Sequence, residues 1–215
     1  MRVLVFGDSV AHGFWDEQGG WVQRLKSLTD KKAVKREKLS DDYVTFYDLN
    51  ISGDTTEEVI RRFEQETMAR IPRIGNKGLI IIFAIGFNDS FEIVGKKKNI
   101  VLQDKFRDNL LVLISLVKKY TSKIFFIGLT PVDEPKVTPM PWAPEFSYHN
   151  DQIELYDSVI KEVCEQNNIY FIDILEEFKK RDYLNLLEDG AHPNTKGHEL
   201  IFETVKKFLG DKGII

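Results

Sequence analysis

Apolar and polar positions along the chain follow two alternating periods. Compact apolar runs at residues 2–6, 43–49, 79–85, 123–128 and 169–172 read as strands. The run at 79–85 is apolar almost throughout, as expected of a strand covered on both faces. Between these runs the apolar residues return every three or four positions. They are Trp21, Leu25 and Leu28; Val59, Ile60 and Phe63; Phe106, Leu110, Leu113, Ile114 and Val117; Ile153, Tyr156, Ile160 and Val163; and Ile201, Val205 and Phe208. That spacing puts one apolar stripe on each of a series of helices. Thr55 followed by Glu58 has the form of a capping box, so the second helix is expected to start there.

Five strands separated by helices predict an α/β fold with a parallel sheet and helices on both faces. No composition shift divides the chain, and 215 residues suit a single domain spanning 1–215. Ligands of such folds bind beyond the carboxyl ends of the strands. The segments to inspect are therefore 7–15, 50–55, 86–92, 129–149 and the stretch after the fifth strand. One of them is unusual. Pro131, Pro135, Pro139, Pro141 and Pro144 crowd into a polar stretch that is too broken for a regular element and long for a routine connection. It is expected to cover part of the rim.

Composition narrows the function. The formal net charge is −4, so the basic surface of a nucleic-acid binder is missing. Lys96, Lys97 and Lys98 form the only basic run and read as a solvated loop. Cys164 is the single cysteine and lies on an apolar helical stripe, where it reads as a small buried hydrophobe. An internal disulfide is impossible, in keeping with a reducing compartment. Residues 79–87 form the longest apolar run, about half the length of a membrane span. With no signal-peptide pattern after Met1, a cytoplasmic protein without an integral membrane segment is expected. The four histidines contain no close ligand pair such as HExxH, so no metal is expected. No Walker A or dinucleotide fingerprint is present, and no cofactor is expected.

Four short motifs fall on the expected rim: GDSVAHG at 7–13, NISGDT at 50–55, GFND at 86–89 and DGAHPN at 189–194. Acyl transfer needs a hydroxyl nucleophile with a base beside it, a third group to fix the base, and donors in place for the oxyanion. Ser9 supplies a nucleophile at a strand-to-helix turn. His192 supplies a base, and Asp189, three residues earlier, can orient it. The backbone N–H groups of Ser9 and Gly53 and the side-chain amide of Asn88 can form an oxyanion hole. Gly53 suits that role because it precedes a helix start, where backbone donors lack intrahelical partners.

These blocks resemble the SGNH, or GDSL, hydrolase family of esterases and lipases. The serine block matches at Gly7, Asp8, Ser9 and Gly13, and the glycine block at Ser52, Gly53 and Thr55. The asparagine block matches at Gly86, Asn88 and Asp89, and the DxxH block at Asp189 and His192, continuing into Pro193, Asn194 and Gly197. The resemblance spans nearly the whole chain, in family order. It implies a three-layer α/β/α sandwich of flavodoxin-like topology around a five-stranded parallel sheet, and metal-free hydrolysis of esters or thioesters. The proline-rich 131–149 segment departs from it by its length.

Other residues compete for these roles. Asp173 follows a strand but has no histidine near it in sequence. His12 is close to Ser9 yet is expected to face the pocket wall or solvent. His198 is expected to be structural and His149 exposed. Phe14, Trp15, Phe87 and Trp142 are candidates for a substrate-binding wall, with Phe91 and Phe146 nearby. The expected partner is a small-molecule ester with a small or medium acyl group. Two alternatives stay open: an acyltransferase using the same triad, and a catalytically silent module that binds carbohydrate in the cleft.

Overall fold

A computed structural model describes residues 1–35, 43–71 and 78–215. In chain order the elements are β1 (Arg2–Gly7), α1 (Ser9–His12), α2 (Gly20–Val34), β2 (Thr45–Asp48), α3 (Thr56–Met68), β3 (Leu79–Ala84), β4 (Glu92–Ile93), β5 (Lys98–Asn99) and α4 (Gln103–Lys118). They continue with β6 (Ile124–Ile127), α5 (Glu134–Val137), β7 (Phe146–Ser147), α6 (Asn150–Asn167), β8 (Tyr170–Ile172), α7 (Ile174–Lys179) and α8 (Thr195–Asp211). Short 3₁₀ turns lie at Asn88–Ser90 and Tyr183–Leu186.

The main sheet has the order β2-β1-β3-β6-β8, and all its pairings are parallel. Side-chain alternation explains why its strands are apolar throughout. Leu4, Phe6, Ile81 and Phe83 project into one core, with Val59 and Phe63 of α3, Leu110 and Leu113 of α4, and Ile160 of α6. Val3, Val5, Ile80 and Ile82 project into the other, with Trp21 and Leu25 of α2 and Ile201, Val205 and Leu209 of α8. The expected capping box holds: Thr55 N–H donates to Glu58 Oε2 at 2.9 Å, and Glu57 N–H donates to Thr55 Oγ1 at 3.3 Å. Cys164 is buried among apolar neighbours, as read from its stripe. Among the described residues, no helix is long and apolar enough to cross a membrane.

This order positions the site. The chain steps outward from β1 to β2, then returns to place β3 on the other side of β1. The crevice at that reversal opens beyond the carboxyl ends of β1 and β3. Ser9 follows β1 and Asn88 follows β3, on strands paired from Arg2↔Leu79 to Gly7↔Ala84.

Two expectations need correction. The 131–149 segment is not a plain connection: it contains α5 and β7, and β7 pairs antiparallel with β4 in a small sheet of order β5-β4-β7. Lys96, Lys97 and Lys98 are exposed, but they belong to the β4–β5 hairpin, with Lys98 in β5. Two-residue strands leave no periodic trace in a sequence, so this ribbon was invisible.

Candidate active site

The nucleophile candidate is set by a tight exit from β1. A Cβ on Gly7 would lie 2.4 Å from the Ala84 carbonyl oxygen and 2.7 Å from Ala11 Cβ, so only glycine fits there. Asp8 then caps α1, its Oδ1 accepting the Val10 N–H at 3.0 Å. Ser9 is the first helical residue and is 6% exposed.

His192 comes from the other end of the chain. Its loop closes through Glu188 N–H to the His192 carbonyl at 2.9 Å, and Asn194 caps α8 by accepting from Lys196 N–H and Gly197 N–H. Asp189 Oδ1 accepts the backbone N–H groups of Ala191 and His192, each at 2.9 Å. Asp189 Oδ2 accepts His192 Nδ1–H at 2.7 Å. With Nδ1 protonated, Nε2 carries the lone pair, 2.9 Å from Ser9 Oγ. Burial would raise the Asp189 carboxyl, but its hydrogen bonds from His192 and Ala191 outweigh that and hold it well below the usual carboxylate range. The three side chains assigned to the triad from sequence thus form one unbroken hydrogen-bonded chain.

Trp15 joins it, which sequence reasoning did not foresee. Its indole Nε1–H donates to Asp189 Oδ2 at 2.8 Å. Trp15 has φ 62°, a left-handed backbone that a bulky residue seldom adopts. Its neighbours hold it there. Asp16 accepts a two-pronged ion pair from Arg24, at 3.0 and 2.9 Å, and Arg24 also reaches the Thr195 carbonyl at the start of α8. His198 Nε2–H donates to the Phe14 carbonyl at 3.0 Å, and burial pushes its imidazole down to about 4. His198 is therefore a neutral structural strut, as expected.

The oxyanion-hole candidates sit on two loops. Gly53 is exposed, with φ 85°, in a turn where Asp54 N–H donates to the Ile51 carbonyl at 3.2 Å. It precedes the cap Thr55 by two residues, so its N–H is not one of the unpaired donors of the helix start, which corrects the reason given from sequence. Asn88 is buried; its Nδ2 donates to the Asp54 carbonyl at 2.8 Å, and its Oδ1 accepts from Tyr148 Oη–H at 3.2 Å.

Beneath these loops lies a polar layer. Arg62 of α3 pairs with Asp54 at 2.7 Å and donates to the carbonyls of Leu49 (2.6 Å) and Gly7 (3.4 Å), tying together the exits of β1 and β2. Asp89 accepts Thr56 N–H at 3.1 Å and Thr56 Oγ1–H at 2.5 Å, and Asn109 Nδ2–H donates to Thr56 Oγ1 at 2.9 Å. Burial pushes the carboxyls of Asp8 and Asp89 up to about 7, against the hydrogen bonds from Val10 and Thr56 respectively. The sequence held one clue: Arg62 and Asn109 interrupt the apolar faces carrying Phe63 and Leu110, and a polar residue there needs a buried partner.

The remaining candidates separate. Phe14 and Trp142 flank the His192 ring, at 5.5 and 5.9 Å between centroids. Trp15 and Trp142 are 55% and 49% exposed. Phe87 does not join them: it is buried in the core against Tyr148, with rings 4.4 Å apart, and cannot form an open substrate wall. Phe91 and Phe146 stack across the β4–β7 ribbon. Asp173 caps α7 and pairs with Lys161, away from His192. His12 is exposed and faces Asp48 at 3.9 Å. His149 is half-buried against Glu134 at 3.0 Å, not exposed as expected. The proline-rich segment reaches the site at several points: through Trp142, through Tyr148, and through Asp133 N–H donating to the Gly190 carbonyl at 2.7 Å. A groove of about 350 Å³ adjoins Trp15 and Glu188 and is lined further by Glu17, Asn185, Asn194, Thr195 and Lys196; no triad side chain lines it. Among the described residues, no group of three His, Cys, Asp or Glu is arranged to hold a metal ion.

Solved structures share this architecture. A lipase/acylhydrolase from Enterococcus faecalis superposes with a TM-score of 0.72 at 23% identity, over 98% of this chain and 96% of that one. The acetylxylan esterase Axe2 from Geobacillus stearothermophilus superposes with a TM-score of 0.72 at 20% identity, over 97% and 94%. An α/β hydrolase, LAE5, from the metagenome of Lake Arreo gives 0.70 at 16%, over 99% and 95%. At these identities the likeness carries the fold. No curated protein sequence matches the chain. The sequence profile of the GDSL-like lipase/acylhydrolase family, however, matches residues 5–200, a span that takes in all four motif blocks. The chain belongs to the GDSL-like lipase/acylhydrolase family and is an esterase-type hydrolase.

Proposed function

We propose that the chain hydrolyses an ester of a small or medium acyl group through an acyl-enzyme on Ser9. The observation that carries this reading is the run of contacts from Ser9 Oγ to His192 Nε2 (2.9 Å) and from His192 Nδ1 to Asp189 Oδ2 (2.7 Å). Ser9 Oγ attacks the ester carbonyl carbon while its proton passes to His192 Nε2. Asp189, held ionised, stabilises the imidazolium that forms. The carbonyl oxygen takes the electron pair, and the N–H groups of Ser9, Gly53 and Asn88 receive it. Collapse breaks the ester C–O bond, and His192 gives its proton to the departing alkoxide. Water then repeats the sequence: His192 takes its proton, the hydroxide adds to the acyl carbon, and the acid leaves as Ser9 Oγ is reprotonated.

The surroundings divide the substrate. Phe14 and Trp142 offer apolar faces to the acyl group beside His192. The groove past Trp15 is lined mainly by polar and charged side chains and suits a polar alcohol portion. Ser9→Ala tests the mechanism: hydrolysis of p-nitrophenyl esters and labelling by a fluorophosphonate should both vanish while the far-ultraviolet circular dichroism and Tm hold. Near wild-type turnover in Ser9→Ala would overturn the proposal.

A further inference from the structure

We infer that Tyr148 is a positioning residue for the oxyanion hole, its phenol holding the Asn88 amide so that one N–H stays aimed at the developing negative charge. The inference rests on the reading of Ser9 and Asn88 proposed above. Asn88 has two anchors. The Asp54 carbonyl can only accept, so the atom facing it at 2.8 Å is Nδ2. Oδ1 then faces Tyr148 Oη, which donates to it at 3.2 Å. Nδ2 carries two hydrogens. One is used on Asp54, and among the described residues the other meets no acceptor. A rotation of the amide would set oxygen against the Asp54 carbonyl and forfeit the Tyr148 bond. The two anchors together leave one orientation.

Tyr148 is built as a fixed strut. It is 2% exposed, so it has no face for substrate. Its ring lies against Phe87 and Phe91, each 4.4 Å away between centroids. Its backbone is held on both sides: its N–H donates to the Val137 carbonyl at 3.1 Å, and its carbonyl accepts from Thr138 Oγ1 at 2.6 Å. Burial, with the charges of Asp8 and Asp189 nearby, pushes the phenol well above its ordinary range, so its proton is present at every working pH. Donation to Oδ1 also polarises the amide and makes its N–H groups better donors. An arrangement that serves only packing would need the ring and not the hydroxyl.

Tyr148→Phe keeps the ring and removes the hydroxyl. Losing one neutral hydrogen bond that aligns a donor should lower kcat about three- to tenfold. KM and the shape of the pH–rate profile should hold, because neither substrate binding nor His192 is touched; Tm should fall by a few degrees, because the buried Asn88 Oδ1 loses its donor. The rate of fluorophosphonate labelling should fall with kcat, since phosphonylation draws on the same hole. In an Asn88→Ala background, Tyr148→Phe should change kcat by less than about twofold, because the group it positions is gone. A kcat for Tyr148→Phe within about 1.5-fold of wild type overturns the inference. So does an undiminished effect in the Asn88→Ala background, or a loss that disappears when the assay is run well below the Tm of the variant. Failure of the underlying mechanism reads differently, as turnover retained by Ser9→Ala.

Discussion

Asp189→Asn isolates what the carboxylate contributes, because the substitution keeps shape and changes only charge and donor pattern. Asp189 accepts four hydrogen bonds: two backbone N–H groups on Oδ1, and the Trp15 indole and His192 Nδ1 on Oδ2. The replacement amide has one acceptor and one donor end. If its oxygen stays with the backbone pair, its NH₂ faces two further donors, Trp15 Nε1–H and His192 Nδ1–H. The imidazole resolves the clash by moving its proton to Nε2. That tautomer presents N–H to Ser9 Oγ and cannot accept its proton. If the amide turns over, its NH₂ meets the Ala191 and His192 N–H groups, and two backbone bonds that shape the loop are lost. Either way the imidazolium also loses its counter-charge. Misassigning the tautomer in a serine triad costs about 10⁴ in kcat, or about 5.4 kcal/mol at the barrier. We expect kcat to fall roughly 10³–10⁴-fold with KM changed less than about threefold. Stopped assays with a p-nitrophenyl ester and the rate of fluorophosphonate labelling should agree. Adding Trp15→Phe removes one of the two opposed donors, so the double variant should be no slower than Asp189→Asn alone. A single variant within about tenfold of wild type would refute the tautomer argument.

Three further outcomes follow from the geometry. Asn88→Ala should lower kcat by about 10²–10³ with KM nearly unchanged, and a kcat within about threefold of wild type removes Asn88 from the hole. Trp142→Ala should shift relative rates across p-nitrophenyl esters of rising acyl length while Tm moves little; an unchanged profile would mean that the 131–149 segment does not limit the acyl group. Asp157, buried and accepting the Leu129 N–H at 2.7 Å, has its carboxyl pushed up to about 7 by burial. Between about pH 4 and 7 the folded state therefore binds more protons than the unfolded chain, so this group's stabilisation is lost as pH rises through that window. Asp157→Asn should raise Tm at pH 8 and leave it nearly unchanged at pH 4; equal effects at both would exclude the linkage.

Legibility in the sequence tracked the range of the signal. The five strands and the capping box at Thr55 were readable because apolar period and cap chemistry are local. Predicted bounds erred by a residue or two, as where 43–49 became Thr45–Asp48. Ser9, Asp189 and His192 could be named as candidates because their residue types occur in motif blocks beside regular elements, and the structure brings their side chains into contact. The six-residue α7 and the β4, β5 and β7 strands were not, since elements that short carry little or no period. The assignment of Phe87 to the substrate wall failed because position on the rim does not fix side-chain direction. Phe87 starts the turn that carries Asn88, and its ring points inward to Tyr148. The Trp15–Asp189 bond spans 174 residues and rests on an unusual φ, and no pattern in the chain encodes either.

The buried polar residues that sequence missed share one task. Each holds a loop that the motif residues occupy, and each is polar where packing alone would call for an apolar side chain. Arg62 joins the carbonyls of Gly7 and Leu49 to Asp54, fixing the exit of β1 relative to the glycine block. Asn109 and Thr56 hold Asp89, and so fix the turn that bears Asn88. Asp16 and Arg24 hold Trp15 near the start of α8, within reach of Asp189. Apolar packing is insensitive to small slides, whereas a hydrogen bond weakens steeply with misalignment. A site assembled from four loops needs positions held to about half an ångström, and apolar contact cannot supply that register. Burying Asp8 and Asp89 raises their carboxyls and lowers stability near neutral pH, an expense that core packing would avoid. Its location directly under Ser9 and Asn88 is what the proposed mechanism calls for, since in it the oxyanion must meet hydrogen bonds already in place.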